Sequence, residues 1–286
     1  AEIGRVTKGF AMAVKSKALL YAASKLHNPS MDTELWKKSA KAAIDIINTG
    51  LYSLDPQESA NNLDSKEVVL MRINGDDSDF EMFNLPLRMT AGTRTSSLIP
   101  YSNYPSQNLV DAFETVNGYK VTLENTGWVC EDPAFDPQSP YENRDKRFYR
   151  AILANGMSFK DYTIETFKGG ADEIVSQGGS PTGYFLRKYI QEATSFEPGK
   201  EAVSKHHWVI YRYAQTVRMD AESMVNAFND VNYTDETYKY SALWAINEVR
   251  KNADMPLIPS MGKDEFMERL YNEWRVEFAF EDHRFW

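Results

Sequence analysis

Helical periodicity at both ends of the chain brackets a middle that glycine and proline interrupt too often for continuous helix. That division restricts the fold to a helical scaffold carrying an irregular insertion, and it argues against strand-helix alternation. From Thr7 to Leu26, the residues Phe10, Val14, Ala18, Tyr21, Ala22 and Leu26 recur at three- and four-residue steps, predicting a helix that buries this face and leaves Lys15, Lys17 and Lys25 in solvent. His27 to Ser30 ends it. Asp32 or Thr33 then caps a second helix whose stripe is Leu35, Trp36, Ala40, Ala43, Ile44 and Ile47, with Gly50 as its stop. The short link predicts an antiparallel hairpin, and Ala11, Ala18, Ala22, Ala40 and Ala43 allow close approach, as in tetratricopeptide-like pairs.

A second helical block is expected from about residue 206 to residue 286. Its first helix begins near His207 and carries Ile210, Tyr213, Ala214, Val217, Ala221, Met224 and Phe228; the next, over Asp235 to Lys251, carries Tyr238, Ala242, Ala245, Ile246 and Val249. A last helix from about Lys263 presents Phe266, Leu270, Trp274 and Phe278, with Arg269 and Glu273 spaced for an ion pair. Residues 51–205 contain Gly169, Gly170, Gly178, Gly179, Pro133, Pro137, Pro140 and Pro181 and read as loops around short elements: strands at Val68–Ile73 and Phe185–Tyr189, and a helix at about Ser106–Val116 with Leu109, Val110 and Phe113 inward. The chain of 286 residues is long enough for one large domain or two closely packed ones.

The formal charge of −9 and the lack of a Lys/Arg cluster exclude a duplex nucleic-acid binder. No apolar run reaches the length of a membrane-spanning helix. Cys130, the single cysteine, reads as a small partly buried hydrophobe and leaves the redox compartment open. Asp76, Asp77, Asp79 and Glu81 form an acidic loop that reads first as a solvated turn; a structural calcium site and a glycoside-hydrolase carboxylate pair are the lesser alternatives. His206 and His207, neighbours on a starting helix, do not converge on a metal, and the chain has neither a phosphate-binding loop nor a nucleophile elbow. No cofactor is implied.

Sugars present C–H faces and hydroxyl edges, so a sugar site needs a flat ring flanked by hydrogen-bonding groups. In the middle region Phe80, Phe83, Tyr101, Tyr104, Trp128 and Tyr141 can supply rings, and Asp79, Arg94, Asn103 and Asn125 can meet hydroxyls. Trp128, set after Asn125 and before a Pro-rich stretch, is the first choice, with packing as its competing role. Asn143, Arg144, Asp145 and Arg147 form a polar turn of structural type. Gln107, Asn108 and Asp111 would serve exposed N–H groups at a helix start. Arg187, Lys188 and Arg212 would connect loop and scaffold, and His283 and Arg284 would anchor the end of the last helix.

Several segments, in order, resemble the SusD/RagB family: Gly4 to Gly9 ahead of an Ala-rich helix, the Trp36 helix ending in Asn48 to Leu54, Tyr104 to Phe113, and Tyr141 to Phe148. Thr182 to Tyr189, Tyr211 to Ala214, Ala245 to Arg250 and Glu277 to Trp286 continue the order to the last residue. The resemblance implies a mainly α fold, a SusD-like α-α superhelix of tetratricopeptide-like pairs with a loop-rich insertion holding short strands. It also implies a non-catalytic, lipid-anchored protein on the outer face of the bacterial outer membrane, capturing glycans for a TonB-dependent, SusC-like transporter. On this pattern residues 1–286 form one domain, with a helical hairpin at 1–50, and the chain is expected to lack the lipidated N-terminus and the extension that follows the last motif. Departures from the pattern are Trp274 where a basic residue is usual, Asp282 for glycine, Lys146 for proline, and the polar Arg218 and Asp220. A helical scaffold docking on the transporter without its own ligand is the alternative, followed by a glycoside hydrolase.

Overall fold

The computed structural model describes residues 4–55, 62–90, 102–173 and 178–282. Eight α-helices lie among them: α1 Lys8–Ala23, α2 Thr33–Ile47, α3 Asp79–Asn84, α4 Gln107–Ala112, α5 Lys146–Ala151, α6 Tyr213–Phe228, α7 Ala242–Asn252 and α8 Lys263–Glu277. The chain divides into two compact units, Ala1–Ile73 with His207–Trp274, and Asn74–His206 with Arg275–Trp286. The fold is mainly helical, built on paired helices with small irregular strand insertions.

In the first unit α1 packs on α2, α2 on α6, and α6 on α7. Asp32 caps α2 by accepting the Glu34 N–H at 2.9 Å, and Trp36, Ala40, Ala43, Ile44 and Ile47 of the expected stripe are buried. Ile44 joins Val217, Met224, Ile246, Phe266 and Leu270 in the core. The face of α1 differs from the expected one: Gly9, Ala13, Ser16, Leu20 and Ala23 are buried, whereas Val14 is 50% exposed and Tyr21 and Leu26 also meet solvent. Close approach selects the small residues here. A Cβ on Gly9 would lie 1.9 Å from the Tyr52 hydroxyl, so the helix can sit against Tyr52 only where the side chain is missing.

The segment read as the first turns of a helix from His207 is a strand. Trp208–Arg212 pairs antiparallel with Val68–Arg72, leaving Ile210 exposed, and α6 begins only at Tyr213. Its β-branched and aromatic run suits an extended ladder better than a helix start. Likewise α7 begins at Ala242 behind the Ser241 cap, not at Asp235. Two of the departures noted above meet in this unit: the Arg218 guanidinium lies 3.2 Å from the Trp274 ring centroid. A cation from α6 thus occupies the neighbourhood of the position where a basic residue is usual.

The second unit is held by short two-stranded ladders, among them Val121–Glu124 with Gly127–Cys130 and Ile152–Leu153 with Phe185–Leu186. Phe113, Phe148, Ile152, Tyr184, Val276 and Ala279 form one of its cores, and Leu85, Leu153, Phe159, Ile164 and Phe185 another.

Candidate functional site

Trp128 lies on a hairpin strand, opposite Leu123, with Asn125 and Thr126 forming the turn and Gly127 at φ +121° releasing it. It is half-buried, and its ring meets Tyr141 edge to face at 5.6 Å and 80°. Tyr141 in turn stacks on Phe148 at 6.0 Å and stands edge-on to Tyr184 at 6.1 Å. Edge-to-face and stacked contacts fix the ring planes.

A polar network borders these rings. Tyr184 Oη donates to Gln107 Oε1 at 2.7 Å, the Tyr141 and Tyr184 hydroxyls are 3.2 Å apart, and Gln107 Nε2 donates to Asp111 Oδ1 at 2.7 Å. The Leu123 N–H reaches the same Asp111 oxygen at 3.4 Å, which places the carboxylate beside the Leu123–Trp128 rung. Burial pushes the Tyr141 and Tyr184 phenols up, so both keep their protons at neutral pH. The helix-start role expected for Gln107 and Asp111 falls instead to Ser106, whose Oγ accepts the Leu109 N–H, because Tyr184 draws the Gln107 amide away from the helix end.

Beneath the rings, Arg144 is fully buried. Its Nη2 donates to the carbonyls of Val110 and Phe113, both at 2.7 Å, and its Nη1 to that of Pro140 at 3.0 Å. Asn143 takes φ +52°, its carbonyl accepting the Val116 N–H. Asp145 caps α5 and holds Arg147, which also reaches Glu277 at 2.9 Å.

Of the other candidate ligand residues, Asn125 shares the Trp128 hairpin, whereas Tyr104, Asn103, Phe83 and Asp79 lie elsewhere in the second unit. Asn125 is exposed in the hairpin turn. Tyr104 packs edge-on against Phe185 at 6.1 Å. Asn103 binds Asn84 Oδ1 through its backbone at 3.0 Å, Ser102 Oγ donates to the Phe83 carbonyl, and Asp79 is exposed on the first turn of α3. Arg94, Tyr101, His283 and Arg284 fall outside the described residues. Arg187 pairs with Glu192 at 3.1 Å, Lys188 with Glu281 at 2.6 Å, and the buried Arg212 with Glu67 at 2.6 Å.

The acidic loop is not a uniformly solvated turn. Asp76 and Asp77 pair with Ser204–Lys205, and Glu81 is fully buried, accepting from His206 and from the Gln191 N–H at 2.6 Å. His206 therefore precedes a strand and serves Glu81. Among the described residues no group of three His, Cys, Asp or Glu side chains is placed to hold a metal ion. In the first unit, a cavity of about 490 Å³ is lined by Tyr52, Tyr213, Trp244, Glu248 and Lys251, residues the sequence marks only as helix positions or motif members.

The SusD family profile matches residues 66–286. The chain belongs to the SusD family. Its fold matches a SusD-like protein from Bacteroides fragilis NCTC 9343 at 26% identity and TM-score 0.72, over 99% of this chain and 54% of that one. It also matches a SusD-like carbohydrate-binding protein of the same strain at 22% identity and TM-score 0.69, over 100% and 52% of the two chains. A SusD superfamily protein from Parabacteroides distasonis ATCC 8503 matches at 16% identity and TM-score 0.62, over 98% and 51%. The chain spans about half the length of these solved structures. Comparison with curated proteins gave no match. No helix among the described residues is long and apolar enough to cross a membrane.

Proposed function

We propose that this SusD-family chain is the non-catalytic glycan-binding part of an outer-membrane nutrient-uptake complex. In the whole protein a lipid anchor holds it on the outer face, and captured oligosaccharides pass to a TonB-dependent, SusC-like transporter. The observation that carries the ligand class is the Trp128–Tyr141 pair bordered by Gln107 and Asp111. An aromatic surface takes the C–H face of a sugar ring, and the adjacent polar groups take its hydroxyls. The relative of the same family from Bacteroides fragilis is described as carbohydrate-binding, which agrees with this ligand class.

A hydrolase needs two carboxylates facing one bond. The acidic loop suits that role poorly, because Glu81 is buried against His206 and Gln191. The test is a glycan-array screen of the purified chain, then calorimetry and product analysis of every glycan bound. Saturable binding without cleavage is the expected result; released products would refute the non-catalytic role, and no binding by folded protein would favour a scaffold that docks on the transporter alone.

A further inference from the structure

We propose, building on the glycan-binding role just given, that the first-unit cavity lined by Tyr52, Tyr213 and α7 is a second saccharide site, with Glu248 and Trp244 as its main contacts. Its volume of about 490 Å³ falls within the range of about 300–1,000 Å³ that small-ligand sites occupy. Tyr52, Tyr213 and Trp244 supply an aromatic wall, with the Tyr52 and Tyr213 rings stacked at 6.4 Å and 28° and Trp244 set 4.4 Å from Tyr240. A wall of this kind can take the C–H face of a sugar. The cavity lies wholly in the first unit, whereas Trp128 belongs to the second.

What marks the cavity is polar capacity that the fold leaves unused. The half-buried Glu248 carboxylate, the Trp244 indole N–H, the Tyr213 hydroxyl and the Lys251 ammonium make no hydrogen bond or ion pair with the described residues. Burial first, with Glu248 among the neighbouring charges, pushes the Tyr213 phenol up to about 12, so at neutral pH it keeps a proton to donate. The groups that shape the wall are committed instead. Asn252 donates to the Asp55 carbonyl at 3.0 Å, the Ser53 N–H to that of Lys66 at 3.3 Å, and the Tyr213 N–H to that of Glu67 at 2.8 Å. These bonds fix the segments around the cavity, so it is formed before a ligand arrives.

The unused groups select the ligand class. Glu248 only accepts, Trp244 and Lys251 only donate, and the Tyr213 hydroxyl does both. An anion would suit Lys251 and face Glu248; an ammonium would suit Glu248 and face Lys251. An apolar ligand would strip water from the half-buried carboxylate and give nothing back. A sugar hydroxyl both donates and accepts, so a neutral saccharide can satisfy every member of the set while its ring lies on the aromatic wall.

The experiment is calorimetric titration of the folded chain with di- and trisaccharides of glucose, mannose, xylose and galactose. Each titration is repeated with Trp128→Ala, alone and combined with Glu248→Ala or Trp244→Phe. Glu248→Ala deletes a side chain that bonds to no described residue, Trp244→Phe keeps a ring beside Tyr240 while removing the indole N–H, and thermal unfolding checks that each variant is folded. Trp128→Ala should retain a weaker saturable binding event; adding Glu248→Ala should weaken that event by about tenfold or more, and Trp244→Phe should act in the same direction. Loss of all binding in folded Trp128→Ala, or residual binding that neither cavity variant changes, overturns the second site and leaves the glycan-binding role standing. Binding that Trp128→Ala leaves at full strength and Glu248→Ala weakens removes the Trp128 platform and supports the cavity as the sugar site. Failure of every saccharide to bind the folded wild-type chain overturns the cavity site together with the glycan-binding role.

Discussion

Glu81, fully buried, holds His206 Nε2 at 2.8 Å, while Nδ1 of the same ring lies 3.5 Å from Asp77 Oδ1. The hydrogen bond to Glu81, offset in part by burial, raises the His206 pKa above its ordinary value of 6.5. In the folded chain the imidazolium is favoured, so the contribution is fully present below the unfolded value and is lost as pH rises through the folded one. Urea unfolding followed from pH 6 to 9 should therefore show stability falling with pH, and His206→Gln should flatten that part of the profile. An unchanged slope in the variant would remove His206 as its source.

Arg144 supports the platform from below. Truncation to Met removes the guanidinium, whose carbon lies 5.2 Å from the Phe148 ring centroid, and leaves the carbonyls of Pro140 and Phe113 without their donors, while that of Val110 keeps the Phe113 N–H. Unsatisfied buried acceptors cost about 1–3 kcal/mol each, so the variant should lose roughly 3 kcal/mol or more in denaturant unfolding. Arg144→Lys should also be destabilised, because one ammonium cannot reproduce the fork that reaches three carbonyls. A loss below roughly 1 kcal/mol in both would show that water replaces the guanidinium.

The helical part of the fold was largely legible because helix packing writes itself into spacing. The stripe of α2, from Trp36 to Ile47, appears as read. The face of α1 was not legible, since Gly9, Ala13 and Ser16 carry almost no hydrophobic signal and are chosen by how closely a neighbour approaches. The strand Trp208–Arg212 was hidden for another reason: its partner, Val68–Arg72, lies far away in sequence, and a short apolar run fits either period. At the candidate site the individual rings Trp128 and Tyr141 could be named from composition and turn chemistry. The Tyr184–Gln107 bond joins residues 77 positions apart, and nothing local to either one announces it.

Trp128 makes only a partial contribution to the core, so its removal should separate binding from folding. It is half-buried on a strand, and its ring meets that of Tyr141 at 80°. Trp128→Ala should weaken capture of a neutral oligosaccharide by more than about 2 kcal/mol, the scale of a central aromatic anchor, while circular dichroism stays native-like. Tyr104→Ala, which opens a core contact with Phe185, should instead lower thermal stability first. Equal affinity in Trp128→Ala and the wild-type chain would place the sugar on other rings.

Asp220 lies on α6, fully buried, and neither carboxylate oxygen receives a hydrogen bond from the described residues. Burial alone pushes its pKa well above the ordinary 3.8. The folded chain then binds a proton that the unfolded chain has already released, so stability falls as pH rises from about 3.8 toward the folded value, by up to about 1.4 kcal/mol per pH unit. Asp220→Asn keeps the shape of the neutral acid and cannot ionise. It should match the wild-type chain near pH 4 and exceed it in thermal stability at pH 7.5. A variant less stable than wild type at pH 7.5 would mean that the native carboxylate is held by a partner outside the described residues, and the difference between the two melting curves across pH reads that directly.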